Sequence, residues 1–107
     1  MPTKTGTLCA VFALALTGAN AANAQDAAAG ETLYQDVCKN CHGPTAKGMA
    51  SFPKLVGNDA GYLVGRLEQY RAGEKVGPNS ALMMPVASEL SDKDIAALAK
   101  YITTAFD

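Results

Sequence analysis

Cys38 and Cys41 are separated by two residues, and His42 follows at once, so the chain contains the pattern Cys-x-x-Cys-His. A thioredoxin-like redox pair with this cysteine spacing needs a βαβ context, which the helical patterns of this chain lack. A structural zinc site needs four ligands, usually Cys or His. Beyond residue 24 the chain holds just these three Cys and His residues, so a zinc site lacks one ligand.

The remaining kind of site with this pattern is the attachment point of a c-type haem. Two thiols add across the two vinyl groups of the porphyrin, and the adjacent histidine binds the iron. The short spacing holds both sulfur atoms along one porphyrin edge. We therefore predict that Cys38 and Cys41 attach one haem covalently (heme c), with His42 as an iron ligand. A disulfide or a zinc site remains the alternative.

Residues 1–24 have the features of a signal peptide rather than of a folded domain. Lys4 provides a positive charge, and residues 8–16 form an apolar run that is too short to span a bilayer. Ala22 and Ala24 place small residues where a signal peptidase reads the chain.

We therefore predict cleavage before Gln25, with cleavage after Ala21 as the alternative. Removal of 24 of the 107 residues leaves 83, and residues 25–107 should form one exported, periplasmic domain. No other segment approaches membrane-spanning length, so we expect no membrane span after cleavage. A retained N-terminal anchor is the other possibility.

The composition fits a single small globular domain. Hydrophobic residues make up 49% of the chain and charged residues 18%, with a formal net charge of −1. These values exclude low-complexity disorder and give no sign of the basic surface typical of nucleic-acid binding. A domain this short buries only about two-thirds of its unfolded surface, so a disulfide, metal or other cross-link is commonly needed.

Three stretches beyond residue 24 have helical patterns. The first runs from about Ala27 to Val37, and the second begins at Asn58 or Asp59 and ends at Gly73. Ser91 caps the third, with Asp94 at the capping-box position. One side of this third helix carries the apolar residues Ile95, Leu98, Ala99 and Ile102.

The segments between these helices, Lys39–Gly57 and Glu74–Leu90, contain Gly and Pro and are predicted to be loops. No stretch alternates as a strand does, so the predicted fold class is all-α. Two long loops in so small a helical domain indicate that a bound ligand orders them.

A second iron ligand must come from another residue type, because His42 is the one histidine in the chain. The methionines beyond residue 24 are Met49, Met83 and Met84. Met49 follows His42 so closely that its loop would have to wrap around the macrocycle. A lysine, water or an open position remains possible.

The chain resembles the class I cytochromes c, especially the small bacterial monohaem type, over nearly all of residues 25–107. The matching elements are Gly30, Tyr34 and Cys38–His42; Pro53–Gly57; Met83–Ala87 with Leu90–Asp92; and Tyr101. The resemblance implies the cytochrome c fold, with about three main helices and long loops wrapped around one covalently attached haem.

The resemblance also assigns roles to single residues. The Pro53 carbonyl would accept the N–H of His42, and Met83 would be the second iron ligand, with Met84 as the alternative. Gly30 would let the first and last helices approach closely, next to Tyr101.

The implied function is a periplasmic single-electron carrier with His/Met axial ligation, not an enzyme. Its partners would be redox proteins, and it would be a monomer or part of a redox complex. One alternative is a haem-bearing cytochrome subunit of a larger periplasmic oxidoreductase. Another is a gas- or ligand-binding haem protein.

The charges near the predicted haem site have one sign. Between Asp36 and Asp59 the charged residues are all basic: Lys39, Lys47 and Lys54. Positive charge around the haem predicts that an acidic redox partner is attracted over a long range.

Overall fold

The computed structural model describes residues 18–106. Within them lie α1 (Gly18–Leu33), a π-helix (Tyr34–Cys38), α2 (Lys39–His42), α3 (Ala60–Arg71), α4 (Ser80–Ser88) and α5 (Asp92–Ala105). The described residues contain no strand beyond an isolated bridge between Met49 and Phe52, so the all-α prediction is confirmed. The Lys4 charge and the apolar run of the predicted signal peptide lie outside the described residues.

The first helical region is longer than predicted. Within the described residues, helical structure runs from Gly18 through the π-helix and α2 to His42, whereas the prediction ended at Val37 and assigned Lys39 onward to a loop. Nothing between Val37 and His42 breaks a helix. Termination comes at Gly43, whose φ of 89° is a conformation that glycine adopts easily.

The predicted loop Glu74–Leu90 is wrong in its centre, because α4 occupies Ser80–Ser88. Pro85 lies inside this helix, and a proline there indicates a helix end in a sequence reading. Ala, Leu and Met are strong helix formers, and they fill the turn before Pro85. The short helix therefore forms despite the hydrogen bond that proline removes.

The other helices largely follow the predictions. Asp59 is the N-cap residue of α3, although its side chain makes no capping hydrogen bond. At the start of α5, the Asp94 amide donates to Ser91 Oγ and the Ser91 amide donates to Asp94 Oδ2, both at 3.0 Å. This is the predicted capping box. The predicted apolar side of α5 is buried.

The core lies where α5 packs against α1 and α3. Tyr34 is fully buried there, and its ring lies 5.7 Å from that of Tyr101 and 5.4 Å from that of Phe106. A Cβ atom at Gly30 would overlap the Ala97 carbonyl oxygen. The close approach of α1 and α5 therefore requires glycine at position 30. Among the described residues, none of the helices is sufficiently long and apolar to cross a membrane.

We expect Gly30→Ala to lower the free energy of unfolding by about 2 kcal/mol, because the added methyl group forces the α1 and α5 backbones apart. Gly61→Ala and Gly65→Ala are matched controls in α3, where a Cβ would meet nothing within 4 Å. Each should raise stability by about 0.5–1 kcal/mol through helix propensity. Denaturant titrations of the three variants measure these changes, and a stable Gly30→Ala protein would contradict the packing argument.

Candidate functional site

A cavity of about 530 Å³ lies between α2, the segment that follows it, and α3 to α5. Its walls are mostly apolar, and its size falls in the range of pockets that enclose small molecules and cofactors. Leucines from three helices contribute to these walls: Leu63 and Leu67 in α3, Leu82 in α4, and Leu98 in α5. The fold thus forms an apolar chamber that it does not fill with its own side chains.

Cys38, Cys41 and His42 all line this cavity. They are three and four residues apart in helical structure, which places them on one face. Both cysteines are free thiols, Cys38 half-buried and Cys41 exposed. Burial raises the pKa of Cys38 to about 11, so its thiol is protonated at neutral pH.

The imidazole of His42 is buried and oriented by one hydrogen bond. Its Nδ1 lies 2.8 Å from the Pro53 carbonyl oxygen. Because a carbonyl oxygen only accepts, Nδ1 carries a proton, and the neutral form of the ring then has its lone pair on Nε2. Metal-binding histidines commonly have their second ring nitrogen bonded in this way. Nε2 of His42 is therefore the ring nitrogen available to bind a metal.

The segment after α2 is folded so that the Pro53 carbonyl lies opposite His42. The Gly48 amide donates to the His42 carbonyl oxygen at 2.8 Å. The Ala46 carbonyl oxygen accepts from the amides of Leu55 at 2.8 Å and Val56 at 3.2 Å. These hydrogen bonds hold the segment after α2, which has no helix or named strand, in one conformation.

Tyr34 supports the end of α2 from the core. Its hydroxyl donates to the Gly43 carbonyl oxygen at 2.6 Å, directly after His42. Burial raises the pKa of Tyr34 to about 12, so this hydroxyl stays neutral and can donate. The sequence showed an aromatic residue here, but the hydroxyl's partner becomes visible only in the fold.

We expect Tyr34→Phe to lower the free energy of unfolding at pH 7 by about 1 kcal/mol, because the Gly43 carbonyl loses its donor. The pKa of Tyr34 is about 12 in the folded protein, against an ordinary value of 10.0. Its stabilisation is therefore complete below pH 10 and is lost as the pH rises through 12. Unfolding titrations should show the difference between the two proteins narrowing over that range; a constant difference would contradict this assignment.

The three candidate methionines occupy different environments. Met83 lines the cavity from α4, whereas Met84 is not among the lining residues. Met49 lies on the surface, with 45% of the residue exposed. The sequence left these three open, and the structure brings Met83 into the same chamber as His42.

The residues present fit a covalently attached haem. Two thiols and an imidazole lie on one wall, and the apolar walls suit a macrocycle. Apart from His42, the basic residues that line the cavity are Lys54 and Arg66, and none of its lining residues is acidic. Two basic side chains suit the two propionate groups of a haem. Within residues 18–106, no three His, Cys, Asp or Glu side chains gather as a metal cluster would require.

Arg66, which the sequence patterns did not single out, is held in place at the cavity. Its Nε donates to Tyr62 Oη and its Nη1 donates to Gln69 Oε1, each at 3.2 Å. The guanidinium carbon lies 5.3 Å from the centre of the Tyr62 ring. Spacings of three and four residues on α3 are the sequence signal that could have revealed this group.

Comparison with known proteins shows the family of this chain. The cytochrome c family model matches residues 27–106, which include every residue that lines the cavity. Cytochrome c-554(548) from Halomonas halodenitrificans is 45% identical over 82 residues, which cover 76% of this chain and 98% of that protein. A thiosulfate dehydrogenase electron acceptor from Stutzerimonas stutzeri is 44% identical over 64 residues, which cover 58% of this chain and 28% of that protein.

Among solved structures, reduced recombinant cytochrome c4 from Pseudomonas stutzeri matches with a TM-score of 0.66 and 37% identity. The match covers 74% of this chain and 47% of that one. The family match supports covalent haem attachment over the alternatives of a zinc site and a simple disulfide. This chain therefore belongs to the cytochrome c family, as a class I, monohaem-type electron-transfer protein with one covalently bound haem.

Proposed function

We propose that the protein is a periplasmic single-electron carrier in which His42 and Met83 are the two axial ligands of the haem iron. The observation that carries the ligation is that both side chains line one cavity, His42 from α2 and Met83 from α4. Cys38 and Cys41 would hold the haem covalently, and Pro53 would orient His42. Residues 1–24 would be the signal peptide that exports residues 25–107.

When bound, the haem supplies an iron that changes its charge by one electron, and a methionine ligand raises its reduction potential. The chain's own residues would hold the two ligand side chains in place, and the buried leucines of the cavity, Leu63 and Leu98, would exclude water. With His42 and Met83 both bound to the iron, small molecules would be kept off it. This arrangement supports electron transfer rather than binding of a gas or substrate.

A spectroscopic redox titration of the purified protein tests this proposal. We expect a single one-electron transition, a methionine–iron charge-transfer band in the oxidised protein, and slow binding of added imidazole. Sequencing the N-terminus of protein recovered from the periplasm should give Gln25 as the first residue. Immediate binding of imidazole without such a band would contradict His/Met ligation and favour the ligand-binding alternative.

A second candidate is a cytochrome subunit of a larger oxidoreductase, favoured by the similarity to a thiosulfate dehydrogenase electron acceptor. That relative is considerably longer than the matched region, since the match covers 28% of it. Purification under mild conditions distinguishes the two functions. A free carrier elutes alone at its own mass, whereas a subunit elutes with a fixed partner.

We expect Lys47→Glu to slow electron transfer to an acidic partner at low ionic strength and to have little effect at high salt. Lys47 is exposed in the segment after α2, where Lys39 and Lys54 are also exposed. Added salt shortens the Debye length and so screens the long-range attraction between these lysines and an acidic partner. Lys100→Glu, with its exposed site on α5, is the matched control and should change the rate less. A rate that does not depend on salt would contradict attraction by these lysines.

A further inference from the structure

Residues 72–91 leave the end of α3, carry α4 with Met83, and return to the start of α5. Both ends of this segment meet at one side chain. Nη1 of Arg71 donates to the Leu90 carbonyl oxygen at 3.2 Å, and Nη2 donates to Asp92 Oδ1 at 2.6 Å. Arg71 itself is the last residue of α3. One guanidinium therefore joins the end of α3 to the residues at the start of α5.

The planar fork of arginine suits this task because two of its nitrogens reach two acceptors at once. Both bonds are charge-assisted, which makes them stronger than neutral hydrogen bonds. The Arg71 side chain is 31% exposed and that of Asp92 is 89% exposed. Among residues 18–106 this is the one ion pair within 4 Å. An exposed pair of this kind adds little to the stability of a whole domain.

Opening of one segment, however, costs less free energy than unfolding of the domain, so a modest contact has a larger relative effect there. Many bonds of residues 72–91 are local and move with the segment. Ser80 Oγ, for example, accepts from the amides of Val76 and Gly77. Besides the apolar packing of α4, three sets of side-chain bonds join this segment to other parts of the fold. They are the bond of Arg71 to Leu90, the capping-box bonds between Ser91 and Asp94, and a bond from Asn79 Nδ2 to the Ser51 carbonyl oxygen at 3.3 Å.

We propose that Arg71 is a positioning residue for Met83, because it closes the base of residues 72–91 and thereby holds α4 against the cavity. Its consequence for the iron rests on the proposed His42/Met83 ligation. Loss of Arg71 should make α4 open more often while the rest of the protein stays folded. Each opening would withdraw Met83 from the cavity and leave its place on the iron open to added ligands.

Hydrogen exchange of the haem-loaded protein measures this opening directly. In Arg71→Gln we expect the amides of α4 to exchange about fivefold faster, and added imidazole to bind about fivefold faster, with α1 exchange unchanged. Asp92→Asn keeps the bond to Leu90 and should give about half of that effect. Lys93→Gln is the matched control for charge, and Asp94→Asn is the control for a weakened start of α5; both should leave α4 exchange close to that of the native protein.

Unchanged α4 exchange in Arg71→Gln would overturn the proposal, as would exchange that rises equally in α1, α4 and α5. The proposed ligation has a separate readout. If the native protein lacks the methionine–iron band, His42/Met83 ligation is wrong, and the exchange of α4 still decides whether Arg71 holds the segment closed.

Discussion

The double variant Cys38→Ala/Cys41→Ala should yield a colourless and largely unfolded chain. The cavity of about 530 Å³ is lined by residues from every helix from α2 to α5, and without haem these walls have nothing to pack against. Among the described residues, the buried hydrophobic residues larger than alanine are Tyr34, Leu63, Ile95, Leu98, Tyr101 and Ile102. A core of that size is too small to order the long segments of a domain of this length.

Absorbance in the Soret region and thermal melting followed by far-ultraviolet circular dichroism measure the outcome. Each single variant, Cys38→Ala or Cys41→Ala, is the appropriate control because one thioether bond can still retain the haem. A colourless double variant that is helical and melts cooperatively would show that the protein core is sufficient alone.

Met83→Ala should abolish the methionine–iron charge-transfer band, lower the reduction potential and allow imidazole to bind rapidly. Met83 lines the cavity and supplies the sulfur atom that would occupy the second axial position. Met84→Ala is the matched control: it removes the same side chain one residue away, from a position that does not line the cavity. We expect Met84→Ala to keep the band and to lose some stability at most.

The opposite result, in which Met84→Ala loses the band and Met83→Ala keeps it, would place the ligand one residue later in α4. If both variants keep the band, Met49 must be tested. Optical spectra of the oxidised proteins and potentiometric titrations distinguish the three outcomes.

Some features of the fold could be predicted because they depend on neighbouring residues. The capping box of α5 joins Ser91 and Asp94, which are three residues apart. The Cys-x-x-Cys-His pattern likewise specifies its chemistry within five residues. In both places the side chains and their partners lie within about one helical turn, so the sequence alone is informative.

Other features depend on contacts that no local pattern contains. Pro85 indicates a helix end, yet α4 continues through it and packs against α3. Ala46 and Ala50 have φ values of 57° and 51°, a conformation that alanine seldom adopts and that its sequence does not predict. The bonds of Arg71 to Leu90 and Asp92 likewise reach residues 19 and 21 positions further along the chain.

The candidate site shows the same division. The residues themselves identified the two cysteines and His42, whereas Pro53 and Met83 were named through resemblance to a family. The position of Pro53 opposite His42 depends on the hydrogen bonds of Gly48 and Ala46. The Tyr34 hydroxyl, which bonds the Gly43 carbonyl, was missed because an aromatic residue in a helix indicates packing rather than a hydrogen bond.

The π-helix Tyr34–Cys38 constrains the number of residues between Tyr34 and His42. It connects two helical stretches with different neighbours: Gly30 and Tyr34 pack on α5, while Cys41 and His42 line the cavity. The wider turn sets the rotation of the second stretch relative to the first. Loss of one residue here would restore an ordinary α-helical turn and rotate both thiols and the imidazole away from the cavity. Substitutions on the exposed side, such as at Asp36, should therefore accumulate freely during divergence, whereas insertions and deletions between Tyr34 and His42 should be eliminated by selection.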